Sequence, residues 1–147
     1  MRDPRPGLPW SRRRVCRRAE YATWMASAAW QKRRQRWLDD WTAAHGTEPT
    51  CAMCGGPWTL RHGDLHHRSY NRLGHEADTD MIPLDRACHT RLHQILDSNP
   101  AWLRLGRAQA TDVIVARLRQ ATQKIRANQA NQANQANQAD QANQANQ

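Results

Sequence analysis

Cysteine and histidine, the side chains that bind transition metals best, are concentrated in residues 51–93 of this chain. The segment reads CAMCGGPWTLRHGDLHHRSYNRLGHEADTDMIPLDRACHTRLH. It holds three of the four cysteines and six of the seven histidines, in under a third of the 147 residues. This concentration predicts metal binding.

The cysteines predict a structural zinc site. Cys51 and Cys54 form a C-x-x-C followed by Gly-Gly-Pro, a turn that aims two thiolates at one ion, and Cys88 is the expected third ligand. A second C-x-x-C would begin at position 85, where the chain has Asp85, whose carboxylate oxygen can also bind zinc. The alternatives are that His62 is the fourth ligand or that no zinc binds.

The histidines predict a second site. His66 and His67 follow an alternating segment typical of a strand, on which neighbouring side chains point to opposite faces. His89 and His93 are spaced i, i+4 on a predicted helix, so their imidazoles share one face in a chelating arrangement. His75 has no such partner and is interpreted as a surface residue.

The pattern C-x2-C, then D-L-H-H, then D-x3-L-x3-C-H-x3-H resembles the HNH endonucleases, which have the ββα-metal fold. The resemblance covers residues 51–93. A looser likeness over residues 21–41, aromatic and arginine-rich, is to small actinobacterial and phage members.

The resemblance implies a role for each histidine of this pattern. It makes His67 the general base and His66 and His89 ligands of the catalytic metal, and His93 matches the further ligand of colicin-type members. Asp80 stands where the family has its middle asparagine, and either holds the loop that positions His67 or joins the metal. Asp85 stands where the family usually has a third zinc cysteine.

Phosphodiester hydrolysis needs a nucleophilic water, neutralisation of charge at phosphorus and stabilisation of the departing 3′ oxygen. An imidazole, titrating near pH ~6.5, suits removal of a proton from water. Three protein ligands leave positions open on an ion for the phosphate and the leaving oxygen. The resemblance therefore implies a DNA endonuclease that leaves 5′-phosphate and 3′-hydroxyl ends, with Mg²⁺, Mn²⁺, Ni²⁺ or Zn²⁺ at the catalytic site.

The charge favours a nucleic-acid partner. The formal net charge is +9, the sequence pI is about 10.6, and 20 of the 22 basic residues are arginine, which binds phosphate in a bidentate fashion. The alternative is a solvated basic surface. The candidates for phosphate contacts are Arg33, Arg34, Arg68, Arg72 and Arg91.

The elements around these residues predict an α+β chain. We expect a ββα-metal core with a zinc knuckle in residues 47–97, between helices at 20–46 and 98–126. Residues 1–19 are interpreted as a flexible basic arm, and the Ala-Asn-Gln repeat of residues 127–147 as disordered. The helices after residue 98 are interpreted as a packing hairpin rather than a helix-turn-helix DNA reader.

Within the first helical region, Ser27 is expected to cap a helix from residue 28 to about 44. Trp30, Trp37 and Trp41 form one stripe on that helix and are expected in the core.

The chain has no stretch of roughly 18–20 apolar residues and no apolar signal-peptide core, so we expect a cytoplasmic protein that does not bind membranes. The alternative to a nuclease is a non-catalytic zinc-dependent DNA-binding module. A subunit of a phage DNA-packaging or regulatory complex is a third reading, and the oligomeric state is left open.

Overall fold

The structure, a computed structural model, describes residues 10–145. It mixes helices with one two-stranded sheet, which confirms the predicted α+β class. The elements in chain order are α1 (Trp10–Met25), α2 (Ala28–His45), β1 (Gly63–His67), a 3-10 turn (Asp78–Asp80), β2 (Met81–Asp85), α3 (Arg86–Ser98), α4 (Ala101–Arg104) and α5 (Arg107–Ala145).

The two strands form an antiparallel hairpin across a long loop, with His66 opposite Ile82 and His67 opposite Met81. The hairpin begins at Gly63, where any side chain would collide, because an added Cβ would lie 2.1 Å from Nε1 of Trp58. That indole nitrogen donates to backbone carbonyls on both strands and so ties the start of β1 to β2. Helix α3 follows β2 without a loop, so hairpin and helix form one continuous unit.

Two apolar clusters hold this unit between the other helices. The tryptophan stripe of α2 packs on one side of the hairpin, with Trp30 and Trp37 each 2% exposed and Trp41 against the same cluster, as predicted. Full burial of each large side chain contributes about 1.5–3 kcal/mol. On the other side, α5 packs against α3 and against the turn that carries Cys51 and Cys54. The buried residues of this cluster are Cys51, Met53, Leu84, Leu92, Leu96, Ala110 and Ile114.

The predicted helix ends on α2 are present. The Ser27 hydroxyl accepts a hydrogen bond from the backbone N–H of Trp30 at 3.0 Å. Gly46 ends the helix in the left-handed conformation (φ 67°), and its N–H donates to the Thr42 carbonyl. Both ends follow from local sequence chemistry.

The structure differs from the expected flexible arm over residues 1–19. Helix α1 begins at Trp10 and runs past residue 20, where the helical region was expected to start, while residues 1–9 lie outside the described range. The prolines and glycine that suggested an extended arm all precede Trp10. The arginine run that follows contains no helix breaker, and arginine is a good helix former.

The repeat after residue 126 also differs from the expected disorder. Helix α5 continues through it to Ala145, although its described side chains are exposed. Alanine is the strongest helix former and glutamine a good one, so this repeat is compatible with a helix even though it has nothing to bury.

Candidate metal centres and cleft

The cysteine group lies where the turn before the hairpin meets the start of α3. One ligand atom from each of four residues lies within 4.8 Å of the others, and these residues are Cys51, Cys54, Asp85 and Cys88. His62 is exposed and lies outside the group, so Asp85 is the fourth donor that the structure brings there. Ligands of one tetrahedral zinc ion lie roughly 3.3–3.8 Å apart, so this donor set fits zinc.

Local backbone geometry builds this group. Gly55 takes the left-handed conformation (φ 71°), which closes the turn after Cys54, and its N–H donates to the Cys51 carbonyl at 2.8 Å. The next amide, of Gly56, donates to Sγ of Cys54 at 3.3 Å. The turn therefore orients the first pair of sulfurs whether or not an ion is bound.

Asp85 serves both the cysteine group and helix α3. Its Oδ1 accepts the backbone N–H of Cys88 at 2.7 Å as the N-cap of α3, and its Oδ2 accepts from Sγ of Cys54 at 3.0 Å. Burial raises the pKa of this carboxyl, but the hydrogen bonds outweigh burial and lower it to about 2. Asp85 is therefore ionised. Burial and the contact with Asp85 raise the pKa values of the Cys54 and Cys88 thiols.

The histidine group lies on the other side of the hairpin–helix unit. His66 from β1 meets His89 and His93, one turn apart on α3, with one ligand atom from each within 4.8 Å of the others. The Nε2 atoms of His89 and His93 are 3.1 Å apart. Nitrogens bound to one tetrahedral ion lie roughly 3.3 Å apart, so this spacing suits a shared ion.

The surroundings of this group favour the neutral imidazole at His66 and His93. Burial lowers the pKa of His66 to about 2, and burial with the neighbouring His89 lowers the pKa of His93. The Asp64 carboxylate lies 3.0 Å from Nδ1 of His89, which directs the Nε2 lone pair of that ring towards the group. Three such nitrogen donors fit a transition metal such as zinc or nickel better than magnesium, which prefers oxygen.

His67 lies outside the histidine group and contacts a buried carboxylate instead. Its Nε2 lies 3.1 Å from Oε1 of Glu76, and both side chains are 1% exposed. Oε1 of Glu76 also accepts the Gly74 N–H at 3.1 Å. Burial lowers the pKa of His67, and the contact with Glu76 offsets only part of that effect, so His67 is a neutral imidazole.

Asp80 lies in neither metal-ligand group. Its carboxylate pairs with the Arg72 guanidinium at 2.6 and 2.8 Å and accepts the Ala77 N–H at 2.9 Å. These hydrogen bonds from Arg72 lower the pKa of Asp80. Of its two expected roles, the geometry supports holding the loop rather than joining the metal.

A cleft of about 220 Å³ joins the histidine group to His67. Its lining includes Tyr21, Arg34, His66, His67, Tyr70 and His89. Two of the three candidate metal ligands, His66 and His89, therefore line the same cleft as the candidate base. A substrate could reach both from the same side.

The predicted phosphate-binding arginines separate into two kinds. Three are bound to carboxylates: Arg33, only 6% exposed, to Asp78; Arg68 to Asp112; and Arg72 to Asp80. Arg34 donates to the carbonyls of Leu60 and Gly63 and to the side chain of Gln31, and Arg91 is exposed. Arg33 is thus a structural residue, and its guanidinium also donates to the Glu76 carbonyl.

Sequence reasoning missed four residues at this site. Asp64 precedes His66 by two positions, and the two-residue period of a strand could have placed both on one face. Glu76 lies in a loop without periodicity. Thr111 lies near His66, and Arg107 lies over the Tyr70 ring. Arg107 has no carboxylate partner among residues 10–145. Both residues come from α5, far along the chain.

Comparisons with protein-family models, with curated proteins and with solved structures found no match for this chain.

Proposed function

We propose that this protein is a metal-dependent endonuclease that hydrolyses DNA phosphodiester bonds. The observation that carries the proposal is the convergence of His66, His89 and His93 on one point, with His66 and His89 lining the same cleft as a separate neutral histidine, His67. The unit that presents them is an antiparallel hairpin followed directly by a helix. The same order of elements is what the HNH resemblance leads one to expect.

His66, His89 and His93 would hold the catalytic ion. A bound divalent ion would neutralise charge on the scissile phosphate and stabilise the departing 3′ oxygen. Asp64 orients His89, and β1 fixes His66 in the buried wall of the cleft. The donors are nitrogens, so zinc or nickel is expected to support activity better than magnesium.

His67 would act as the general base. It is uncharged, faces the cleft, and has one ring nitrogen engaged by Glu76, which leaves the other able to accept a proton from water. Attack of that water on phosphorus would leave a 5′-phosphate and a 3′-hydroxyl.

The charge distribution supports a polyanionic substrate. The chain carries a formal charge of +9, and Arg34 lines the cleft without a carboxylate partner among the described residues. Arg107 is likewise not neutralised by a carboxylate and lies close enough to lower the pKa of His66, after the larger effect of burial. Arg34 and Arg107 are the best-placed phosphate contacts, and Arg91 is accessible for another.

The alternative is a non-catalytic zinc-dependent DNA-binding module, alone or in a packaging or regulatory complex. The cysteine group favours it, since this donor set fits structural zinc. Such a module, however, has no use for a second ligand set open to a cleft.

Within residues 10–145, no helix has the length and apolarity that a membrane crossing requires.

Cleavage of supercoiled plasmid by purified protein tests the proposal. The metal-free protein is expected to be inactive, to regain cutting with Zn²⁺, Ni²⁺ or Mn²⁺, and to lose it again with chelator. His93→Ala is expected to remove cutting, while His75→Ala, which changes an exposed loop histidine, retains it. Plasmid binding without cutting under every metal would favour the binding module instead.

A further inference from the structure

We propose that Glu76 is a positioning residue that fixes the ring and tautomer of His67, so that Nδ1 is the nitrogen that accepts the proton from water. The inference rests on the proposed nuclease function for its catalytic consequence. The tautomer itself is a property of the folded protein and is testable without any cleavage. Glu76 belongs to no motif in the sequence, and only the fold brings it to His67.

The chemistry of a carboxylate makes the assignment definite. An ionised carboxylate accepts hydrogen bonds and cannot donate them. Burial raises the pKa of Glu76, but hydrogen bonds from the Gly74 backbone and from His67 more than offset this, so the net shift is downward and the group is ionised. A histidine nitrogen 3.1 Å from such an oxygen must carry the hydrogen. His67 is therefore protonated on Nε2, and its lone pair is on Nδ1.

The surroundings hold both partners of this pair in place. Oε1 of Glu76 accepts the Gly74 N–H, and the Arg33 guanidinium donates twice to the Glu76 carbonyl, at 3.1 and 3.3 Å. The Trp30 ring lies over the imidazole of His67, with centroids 4.9 Å apart and planes 31° from parallel. Rotation of the carboxylate would break its bond from Gly74, while the Arg33 bonds hold the backbone that carries it.

The two carboxylate oxygens of Glu76 differ in their partners. Oε2 is buried and has no hydrogen-bond partner among the residues that the structure describes. An unmatched oxygen on a buried charged group costs free energy, and an apolar side chain would remove that cost but would leave the Gly74 N–H and the His67 ring without their acceptor. The described side-chain contacts of Glu76 are thus all made through Oε1, which gives His67 its acceptor.

The test compares Glu76→Leu and Glu76→Gln with the wild type, with Glu48→Gln at an exposed position as the control. Glu76→Leu is expected to lower kcat by roughly 10²–10³-fold, within the range that a positioned general base contributes, with KM changed less than about threefold. Glu76→Gln is expected to lose less, because the Gly74 N–H holds an oxygen at the Oε1 position. Loss of kcat in the order wild type, Gln, Leu supports the proposal, and unchanged kcat in Glu76→Leu overturns it.

Two further measurements separate positioning from folding. In a His67→Ala background, Glu76→Leu is expected to cause no additional loss of kcat, whereas a general structural defect would add its own loss. Nitrogen-15 NMR of the zinc-loaded protein is expected to show His67 protonated on Nε2 and not on Nδ1 in the wild type, a mixture of the two tautomers in Glu76→Leu, and a tautomer ratio closer to the wild type in Glu76→Gln. Protonation on Nδ1 in the wild type would refute the inference. If the wild type cuts no DNA, the proposed function fails, while the NMR result still decides the tautomer.

Discussion

Substitutions of Asp85 can separate the stability that comes from capping α3 from the stability that comes from binding a metal ion. Asp85 accepts the N-cap bond from the Cys88 backbone and is one of the four residues of the cysteine group that could hold zinc. Asp85→Ala removes both, whereas Asp85→Asn keeps a good helix cap and loses the anionic ligand. Without zinc, Asp85→Ala should therefore lose about 1 kcal/mol of unfolding free energy and Asp85→Asn only a few tenths.

At saturating zinc, the loss of the anionic ligand should become larger than the loss of the helix cap in its effect on unfolding free energy. Binding to the folded protein stabilises it by RT ln(1 + [Zn²⁺]/Kd), so a loss of roughly 10–100-fold in affinity removes about 1.4–2.8 kcal/mol of that gain at saturating zinc. For a chain of this size, the zinc-dependent rise in Tm should be smaller by roughly 3–10 °C in both variants than in the wild type.

The assay is thermal unfolding followed by circular dichroism, with chelator and with a fixed excess of free zinc. Ser27→Ala serves as the control, because Ser27 caps α2 far from the cysteines, and its loss of about 1 kcal/mol should not depend on zinc. An Asp85→Asn protein with the full wild-type zinc shift would show that Asp85 is no ligand. The site would then rest on three thiolates.

Three other predictions concern charged residues. Arg33→Ala should lower the free energy of unfolding by about 1–3 kcal/mol in urea titrations, since it leaves the buried Glu76 carbonyl without its donors. Exposed Arg36→Ala should stay within about 0.5 kcal/mol, and equal losses would contradict the assigned role of Arg33. Arg107→Ala should weaken binding of a phosphorothioate oligonucleotide and reduce the salt dependence of that affinity by about one phosphate contact. The control Arg104→Ala, at an exposed position, should leave both unchanged. Identical affinities of Arg107→Ala and the wild type would exclude a phosphate contact at Arg107. The lowered pKa of Asp80 means that its ion pair stabilises the fold above pH ~4 and is lost as pH falls through the lowered value. The difference in unfolding free energy between wild type and Asp80→Asn should thus be present at pH 7 and close towards pH 3. A difference that widens in acid would contradict the stabilising role of this ion pair.

Much of the fold could be predicted because its signals are local. The Ser27 cap, the tryptophan stripe and the helix carrying His89 and His93 follow from spacing and periodicity over a few residues. The two ligand sets could be predicted for the same reason, since cysteine and histidine are informative wherever they cluster. Even Asp85, the one irregular ligand, was placed by the spacing of a C-x-x-C.

The partners of these residues could not be predicted, because they come from elsewhere in the chain. Glu76 reaches His67 from a loop, nine residues further along the chain, and Arg107 reaches Tyr70 from a helix 37 residues away in sequence. Composition also fails to show which arginines are neutralised. Arg33 looks like a phosphate-binding residue until the fold places it, 6% exposed, against Asp78.

The central claim is that the histidines divide into metal ligands and a base. The most direct test is the plasmid cleavage rate of His67→Ala beside its metal content, measured by mass spectrometry after gel filtration. The account predicts a metal content equal to that of the wild type and cutting slowed by roughly 10²–10⁴-fold, the usual contribution of a general base. Cutting at the wild-type rate with full metal content would contradict it.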